Sequence, residues 1–184
     1  MIISVEQLET ERLILRDWRN SDLQALHYYC KNPNVGPNAG WKPHTSISES
    51  RVILNGFITN GEVWAIALKE NDTVIGSLGI HRDRKRMSGN IRTIGYSLSE
   101  EFWNQGYMTE AVKRVLDYLF NTLYIELAAI YHFDFNTASR RVIEKCGFTY
   151  EGIIRKSIVL YDGSVLDEVS WSMTRDEYLN NYGL

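Results

Sequence analysis

Met108, Ala111, Val112, Val115, Leu116, Leu119 and Phe120 recur at alternating steps of three and one. Only a helix gathers such positions on one side, so residues 107–120 are predicted to form an amphipathic helix with one face in a core. That helix begins at Gly106, a few residues after the strand-like run at residues 91–98. A strand that feeds a strong helix through a glycine loop restricts the chain to folds in which helices cover a sheet.

The flanking segments extend this pattern. Residues 12–18 alternate Leu13, Leu15 and Asp17 against Ile14, Arg16 and Trp18, which predicts a first strand. Ser21 and Asp22 offer a cap to a helix carrying Leu23, Leu26 and His27. A second helix is predicted over residues 46–59, with Ser48 as cap and Val52, Ile53, Phe57 and Ile58 as its apolar stripe. Residues 63–68 and 73–81 flank the turn Glu70-Asn71-Asp72 as a hairpin, and a polar loop at 82–90 leads to the strand at 91–98. After the main helix come a strand at 126–134 and a helix at 136–146 stopped by Gly147. A hairpin of residues 153–161 and 165–173 turns at Asp162-Gly163. The order predicts a mixed α/β fold with a mainly antiparallel central sheet flanked by helices. With no repeat or linker in 184 residues, residues 1–184 are expected to be one domain.

Composition removes several classes of function. Hydrophobic residues are 44% and charged residues 23%, which is globular rather than disordered. No apolar run reaches the roughly 18 residues a membrane span needs. The first residues carry carboxylates where a secretion signal needs Lys or Arg, so a cytoplasmic chain is expected. The formal charge of -3 argues against dedicated nucleic-acid binding. Cys30 and Cys146 show no CxxC spacing and read as reduced thiols. The histidines His27, His44, His81 and His132 form no ligand motif, so no metal is expected. Pro33, Pro37 and Pro43 mark residues 31–44 as a long loop, a candidate wall or lid for a substrate site.

Two segments offer chemistry. The first is Ile94-Gly95-Tyr96-Ser97-Leu98 followed by Trp103-Asn104-Gln105-Gly106-Tyr107-Met108-Thr109-Glu110-Ala111. The first turn of a helix leaves backbone N–H groups without intrahelical acceptors, and a glycine there lets a pyrophosphate approach. The loop lacks the Gly-Lys-Ser/Thr of a triphosphate loop and the GxGxxG of a dinucleotide loop. A helix start with a packing glycine explains it equally simply. The second segment is Asn136-Thr137-Ala138-Ser139, closed by Glu144-Lys145-Cys146-Gly147-Phe148. Asn136 and Ser139 share a helix face, and Asn136 can also serve as a helix cap.

Together with the opening Glu9-Thr-Glu-Arg-Leu-Ile-Leu-Arg16, these segments resemble the Gcn5-related N-acetyltransferase superfamily, and within it the RimJ/RimL type. The resemblance covers residues 9–173 and implies the acyl-CoA N-acyltransferase fold, with acetyl-CoA as cosubstrate and no metal. The superfamily loop Gln/Arg-x-x-Gly-x-Gly/Ala falls on residues 103–108, where Gly106 matches and Trp103 and Met108 depart. By this resemblance the amides of Gln105, Gly106, Tyr107, Met108 and Thr109 would hold the pyrophosphate. Ser97 and Leu98 would pair with the pantetheine arm, and Asn136 would hydrogen-bond that arm. The tyrosine that many members use as acid is replaced by Ile143, and RimL-like enzymes instead point to Ser139. The same resemblance makes Glu100 the general base, with Glu101, His81 and a water relay as rivals.

The chemistry needs such a set. An amine attacks a thioester only when neutral, and the resulting oxyanion needs N–H donors. An α-amino group, with pKa about 7.7–8.0, is roughly a quarter neutral near pH 7.4, whereas a lysine amine near 10.4 is neutral about once in a thousand. The expected acceptor is therefore an α-amino group of a protein, peptide or amino acid. A small-molecule amine such as a polyamine or aminoglycoside is the alternative, and a homodimer is possible for either. A non-catalytic acyl-CoA sensor, and an RNA-associated protein using the basic run His81-Arg82-Asp83-Arg84-Lys85-Arg86, are rivals from other classes. That run also reads as a solvated loop. Asp167 shares the alternating face of Val165, Val169, Trp171 and Met173, so it reads either as a hydrogen-bonded structural carboxylate or as a contact to the substrate amine. Tyr28 and Trp41 are further candidates for the cleft wall.

Overall fold

The computed structural model describes residues 5–87 and 89–183. Strands β1 (Leu8–Glu9) and β2 (Leu13–Arg16) lead to helices α1 (Leu23–Cys30) and α2 (Ile47–Asn60). Next come β3 (Val63–Leu68), β4 (Val74–Arg82), β5 (Ile91–Leu98) and α3 (Tyr107–Asp117). The chain continues through β6 (Leu127–His132), α4 (Thr137–Lys145), β7 (Thr149–Val159), β8 (Val165–Thr174) and α5 (Arg175–Tyr182). The fold is the expected mixed α/β class, with an eight-stranded sheet in the order β1-β2-β3-β4-β5-β6-β8-β7. The ladders β1–β2, β2–β3, β3–β4, β6–β8 and β7–β8 are antiparallel. β5 and β6 are parallel, a pairing that needs a crossover, and α3 provides it. As described, their ladder ends at Ile94↔Ile130.

The chain forms two compact units. One runs to Gly79 and resumes over Tyr96–Ala111, and the other comprises Ile80–Gly95 and the chain from Val112 onward.

In the first unit, Trp18, Leu26, Tyr29, Leu54, Ala65 and Ala67 form the centre of the core. The cap of α2 is Ser46 rather than Ser48: its hydroxyl accepts from the Glu49 amide at 3.3 Å. The apolar stripe expected on α2 is also displaced, since Val52 is 70% exposed and only Ser50 and Leu54 are buried. Ser50 Oγ lies 2.8 Å from Nδ1 of both His27 and His44, tying α1 and the end of the proline loop to α2. Asp22 does not cap α1. Its carboxylate receives Nη1 and Nη2 of Arg16 at 2.9 and 3.0 Å, and both side chains are buried. In β4, a Cβ on Gly76 would stand 2.4 Å from the carbonyl oxygen of Ser97, so the approach of β4 to β5 requires glycine at that position.

The second unit contains most of the stripe of α3, with Val112, Val115, Leu116, Leu119 and Phe120 all at 0% exposure. The α-helix ends at Asp117 and a π turn, Tyr118–Thr122, completes the run expected to reach Phe120. The loop after β4 is not simply solvated. Asp83 is buried and accepts from the Lys85 and Arg86 amides at 2.6 and 3.1 Å and from the Tyr131 hydroxyl at 2.9 Å. Arg86 pairs with Asp83 and with Glu151, and Lys85 pairs with Glu168, so these two basic residues of the run are neutralised within this unit. Asp167 is exposed rather than turned to the core. Its carboxylate accepts from the amide of Lys156, whose φ is +51°, and so holds the irregular stretch of β7.

Burial pushes the Asp83 and Glu151 carboxyls up, but their hydrogen bonds outweigh it and leave both below the usual carboxylate range. A depressed folded-state pKa means that the unfolded chain binds more protons in that window. The stabilisation is therefore present above the unfolded values near 3.9–4.3 and is lost as pH falls below them. The urea midpoint is expected to drop between about pH 5 and pH 3, and to drop less in Asp83→Asn. An equally steep fall in both proteins would contradict this role.

Candidate active site

The first unit holds the loop between β5 and α3. After Leu98 the chain makes a short 3-10 turn, Glu100–Phe102, and passes Asn104 at φ +60° and Gly106 at φ +84° before α3 begins. This loop is braced on both sides. The Trp103 indole donates to the carbonyl of Leu98 at 2.8 Å, and Gln105 Nε2 donates to the carbonyl of Glu101 at 2.7 Å. Arg12 Nη1 donates to the carbonyl of Gln105 at 3.1 Å, and its guanidinium lies 4.2 Å from the Tyr107 ring centre. Glu110 anchors Arg12 in turn, accepting from its Nε at 2.7 Å, from its amide at 2.9 Å and from the Thr10 hydroxyl at 2.6 Å. Burial raises the Glu110 carboxyl, but these donors prevail and hold it below the ordinary range.

The two departures from the superfamily loop are absorbed by packing. Met108 is 5% exposed and Trp103 packs against the core of the first unit. Gln105 and Gly106 remain at the surface, and Tyr107 and Thr109 are half-buried. The start of an eleven-residue helix, α3, thus stands behind an accessible glycine loop, which fits an anionic phosphate group.

Glu100 is exposed and belongs to the same unit. Asn32 Nδ2 donates to it at 2.7 Å, and Asn34 Nδ2 donates at 2.9 and 3.1 Å. These donors, Asn32 first, hold its carboxyl below the usual range. The proline loop contacts Glu100 through these two asparagines, which had no signal in the sequence. Glu101 accepts from Ser99 Oγ at 3.3 Å. Tyr28 is 54% exposed, and Trp41 packs partly against the core.

In the second unit, Asn136 caps α4, its Oδ1 accepting from the Ser139 amide at 3.0 Å. Both residues are half-buried, and Ile143 on the same helix is 0% exposed. His81 is the penultimate residue of β4, in this unit, and is exposed. The site residues read from the sequence thus divide between units: Ser97, Leu98, Glu100 and residues 105–109 in the first, Asn136 and Ser139 in the second.

A family model described as an acetyltransferase (GNAT) domain matches residues 12–149. The chain belongs to the GNAT acetyltransferase family. An uncharacterized N-acetyltransferase of Bacillus licheniformis, p20, is 29% identical over 180 residues, covering 95% of this chain and 99% of that protein. The [ribosomal protein uS5]-alanine N-acetyltransferase of Escherichia coli is 24% identical, covering 94% of this chain and 92% of that one. A GNAT-family acetyltransferase from Bacillus anthracis shares the fold with a TM-score of 0.84 at 22% identity, over 93% of this chain and 99% of that one. This GNAT chain is therefore an N-acetyltransferase, and the family's use of acetyl-CoA agrees with the glycine loop before α3.

Sequence reasoning missed the supports of this GNAT loop. Thr10 and Arg12 lie in the opening segment that carried the resemblance, and Glu110 lies within the loop motif. Their pairings span 100 and 98 residues of sequence and left no local periodicity to detect.

Proposed function

We propose that this enzyme is of the RimJ/RimL type and transfers the acetyl group of acetyl-CoA to an α-amino group of a protein, peptide or amino acid. The observation that carries this reading is the state of Glu100. Its carboxylate is exposed and its proton affinity is lowered by Asn32 and Asn34, so it is a weak base. The difference in pKa between a lysine amine and an α-amino group is about 2.5 units, or roughly 3.4 kcal/mol of deprotonation free energy. A weak base suits the α-amino group, which is already partly neutral near pH 7.4. The name of the Escherichia coli relative, which specifies the alanine of a ribosomal protein, supports the same acceptor class.

In this reading the amides of residues 105–109 hold the pyrophosphate, the Ser97–Leu98 end of β5 pairs with pantetheine, and Asn136 hydrogen-bonds the same arm. The amine attacks the thioester carbon directly, with no covalent enzyme intermediate. Its surplus proton passes to Glu100, the carbon–sulfur bond breaks, and Ser139 supplies the proton that the departing thiolate takes up, regaining one from solvent as Glu100 releases its own to solvent. The family match spans residues 12–149 and so draws on both units, which we read as one cytoplasmic acetyltransferase domain.

Calorimetric titration of acetyl-CoA tests the cosubstrate site, and a peptide panel with thiol detection tests the acceptor. Ser139→Ala is expected to lower kcat by about 100-fold or more while leaving acetyl-CoA affinity nearly unchanged. Unaltered turnover in that variant would remove Ser139 as the acid. Acetyl-CoA binding without thiol release to any amine would instead make the chain a sensor.

A further inference from the structure

The glycine that opens the loop before α3 also leaves part of its backbone undetermined. A peptide unit is planar, and in its trans form the C=O and N–H point in opposite directions. The Gln105–Gly106 unit is trans, since the described residues contain no cis peptide bond. Turning that unit over would exchange its carbonyl and its N–H between the two sides of the chain. The rotation changes ψ of Gln105 and φ of Gly106, and glycine takes either sign of φ at little cost. Gly106 therefore does not fix the direction of its own N–H.

A residue far away in the sequence fixes it. Arg12, just before β2, donates from Nη1 to the carbonyl of Gln105 at 3.1 Å. The Gly106 N–H of the same unit is therefore turned away from the guanidinium. Gly106 is exposed, and its carbonyl accepts from the Glu110 amide at 3.0 Å, which places its N–H immediately before the first turn of α3. The amides of that turn have no acceptor inside the helix. The Gly106 N–H extends this row of donors by one.

Arg12 is itself held at three points. Its Nε donates to Glu110 Oε2 at 2.7 Å, its guanidinium lies 4.2 Å from the Tyr107 ring centre, and Nη1 makes the bond to Gln105. Tyr107 in turn meets Phe102 edge to face, with ring centres 6.0 Å apart. Glu110 has anchors besides the Arg12 side chain, because Oε1 takes the Thr10 hydroxyl at 2.6 Å and the Arg12 amide at 2.9 Å. All of these residues lie in the first unit. The Glu110 carboxylate offsets the Arg12 charge, so Arg12 supplies direction rather than a net positive field.

We propose that Arg12 is a positioning residue of the acetyl-CoA site: by holding the Gln105 carbonyl it fixes the Gly106 N–H as a donor to the pyrophosphate. The assignment rests on the reading that the amides of residues 105–109 hold that group, and it adds a residue outside the loop motif.

Calorimetric titration of acetyl-CoA into Arg12→Lys tests it, with thermal unfolding followed in parallel. Lysine keeps the charge and can pair with Glu110, but one ammonium lacks the planar fork that serves Glu110 and Gln105 together. Affinity is expected to fall about 10-fold, and parental affinity in this variant overturns the proposal. A brace that acts through the Gly106 peptide unit also predicts non-additivity. Gly106→Ala already disturbs that unit, so adding Arg12→Lys to it is expected to cost less than about 3-fold. A loss of about 10-fold in both backgrounds makes Arg12 a direct contact or a general stabiliser, and overturns the proposal. The parent chain supplies a separate check. Its Gly106 amide resonance, identified by Gly106→Ala, is expected to move saturably with inorganic pyrophosphate. An unmoved resonance overturns the proposal whether or not Arg12→Lys folds. Weakened acetyl-CoA binding in Gly106→Val beside unchanged binding in Arg12→Lys removes the brace and keeps the phosphate loop. Unchanged binding in Gly106→Val removes the loop, and the brace with it.

Discussion

Asp22→Ala is expected to lower the stability of the chain by about 3–5 kcal/mol, because it strands a buried guanidinium. Arg16 and Asp22 are 3% and 7% exposed, and two parallel hydrogen bonds of 2.9 and 3.0 Å join them. Asp22 Oδ2 also accepts from the Arg19 amide at 2.8 Å, so the substitution removes three acceptor contacts together. Asp72 would not rescue the site: it holds Arg16 Nε at 2.7 Å, but its side chain is 45% exposed and Arg19 also uses it. For a chain of this length the loss corresponds to a fall in Tm of roughly 6–20 °C. Urea and thermal unfolding of the variant measure it, and a loss under about 1 kcal/mol would show that the pair is not the lock it resembles. Replacing Arg16 and Asp22 together with apolar residues is expected to cost less than Asp22→Ala alone, since no buried charge then lacks its partner.

Gly106→Val is expected to weaken acetyl-CoA binding by about 100-fold, the loss of two charge-assisted hydrogen bonds of about 1.5 kcal/mol each. The obstacle is conformational. A Cβ at this position would meet only Arg12 Nη2 at 3.5 Å, an ordinary contact, so packing tolerates it. The φ of +84° does not, because a β-branched residue is poorly accommodated in the left-handed region. The loop would relax toward negative φ and carry the amides at the start of α3 away from the phosphates. Gly106→Ala, with a smaller and unbranched side chain, is expected to fall between the two. Calorimetry on both variants, with unfolding measured in parallel, separates lost binding from lost folding. Unchanged affinity in folded Gly106→Val would move the phosphate site elsewhere.

The parts of this fold that were legible in the sequence are those set by local pattern. The stripe from Met108 to Phe120 is buried as its spacing implies, and the hairpin of β3 and β4 turns where Glu70-Asn71-Asp72 predicts. The parts that were not legible depend on distant partners. Asp22 has the chemistry of a cap, but Arg16 takes its carboxylate. Ser46 and Ser48 are equally good caps by type, and only the position of Glu49 decides for Ser46. The stripe on α2 fails because Val52, Ile53 and Ile58 are exposed and only Phe57 of the four packs against the core, while the position facing His27 and His44 is a serine. β1 is two residues long and α5 buries only Tyr178, so neither leaves a periodic signal. β7 begins earlier than expected because register shifts near Gly152 and Lys156 interrupt its alternation.

The same division applies to the site. The glycine loop and the Asn136–Ser139 turn are contiguous motifs and could be read directly. The carboxamides of Asn32 and Asn34, which determine the acidity of Glu100, lie 68 and 66 residues from it and became visible only in the fold.

The central claim is acetyl transfer from acetyl-CoA to an α-amino group, and the release of the CoA thiol tests it most directly. Purified chain would be given acetyl-CoA with peptides free at the N-terminus, and in parallel with N-terminally blocked peptides containing lysine. The account predicts thiol release with the free N-termini at a rate at least about 10-fold above that with the blocked peptides near pH 7.4. Equal or faster release with the blocked lysine peptides would contradict it.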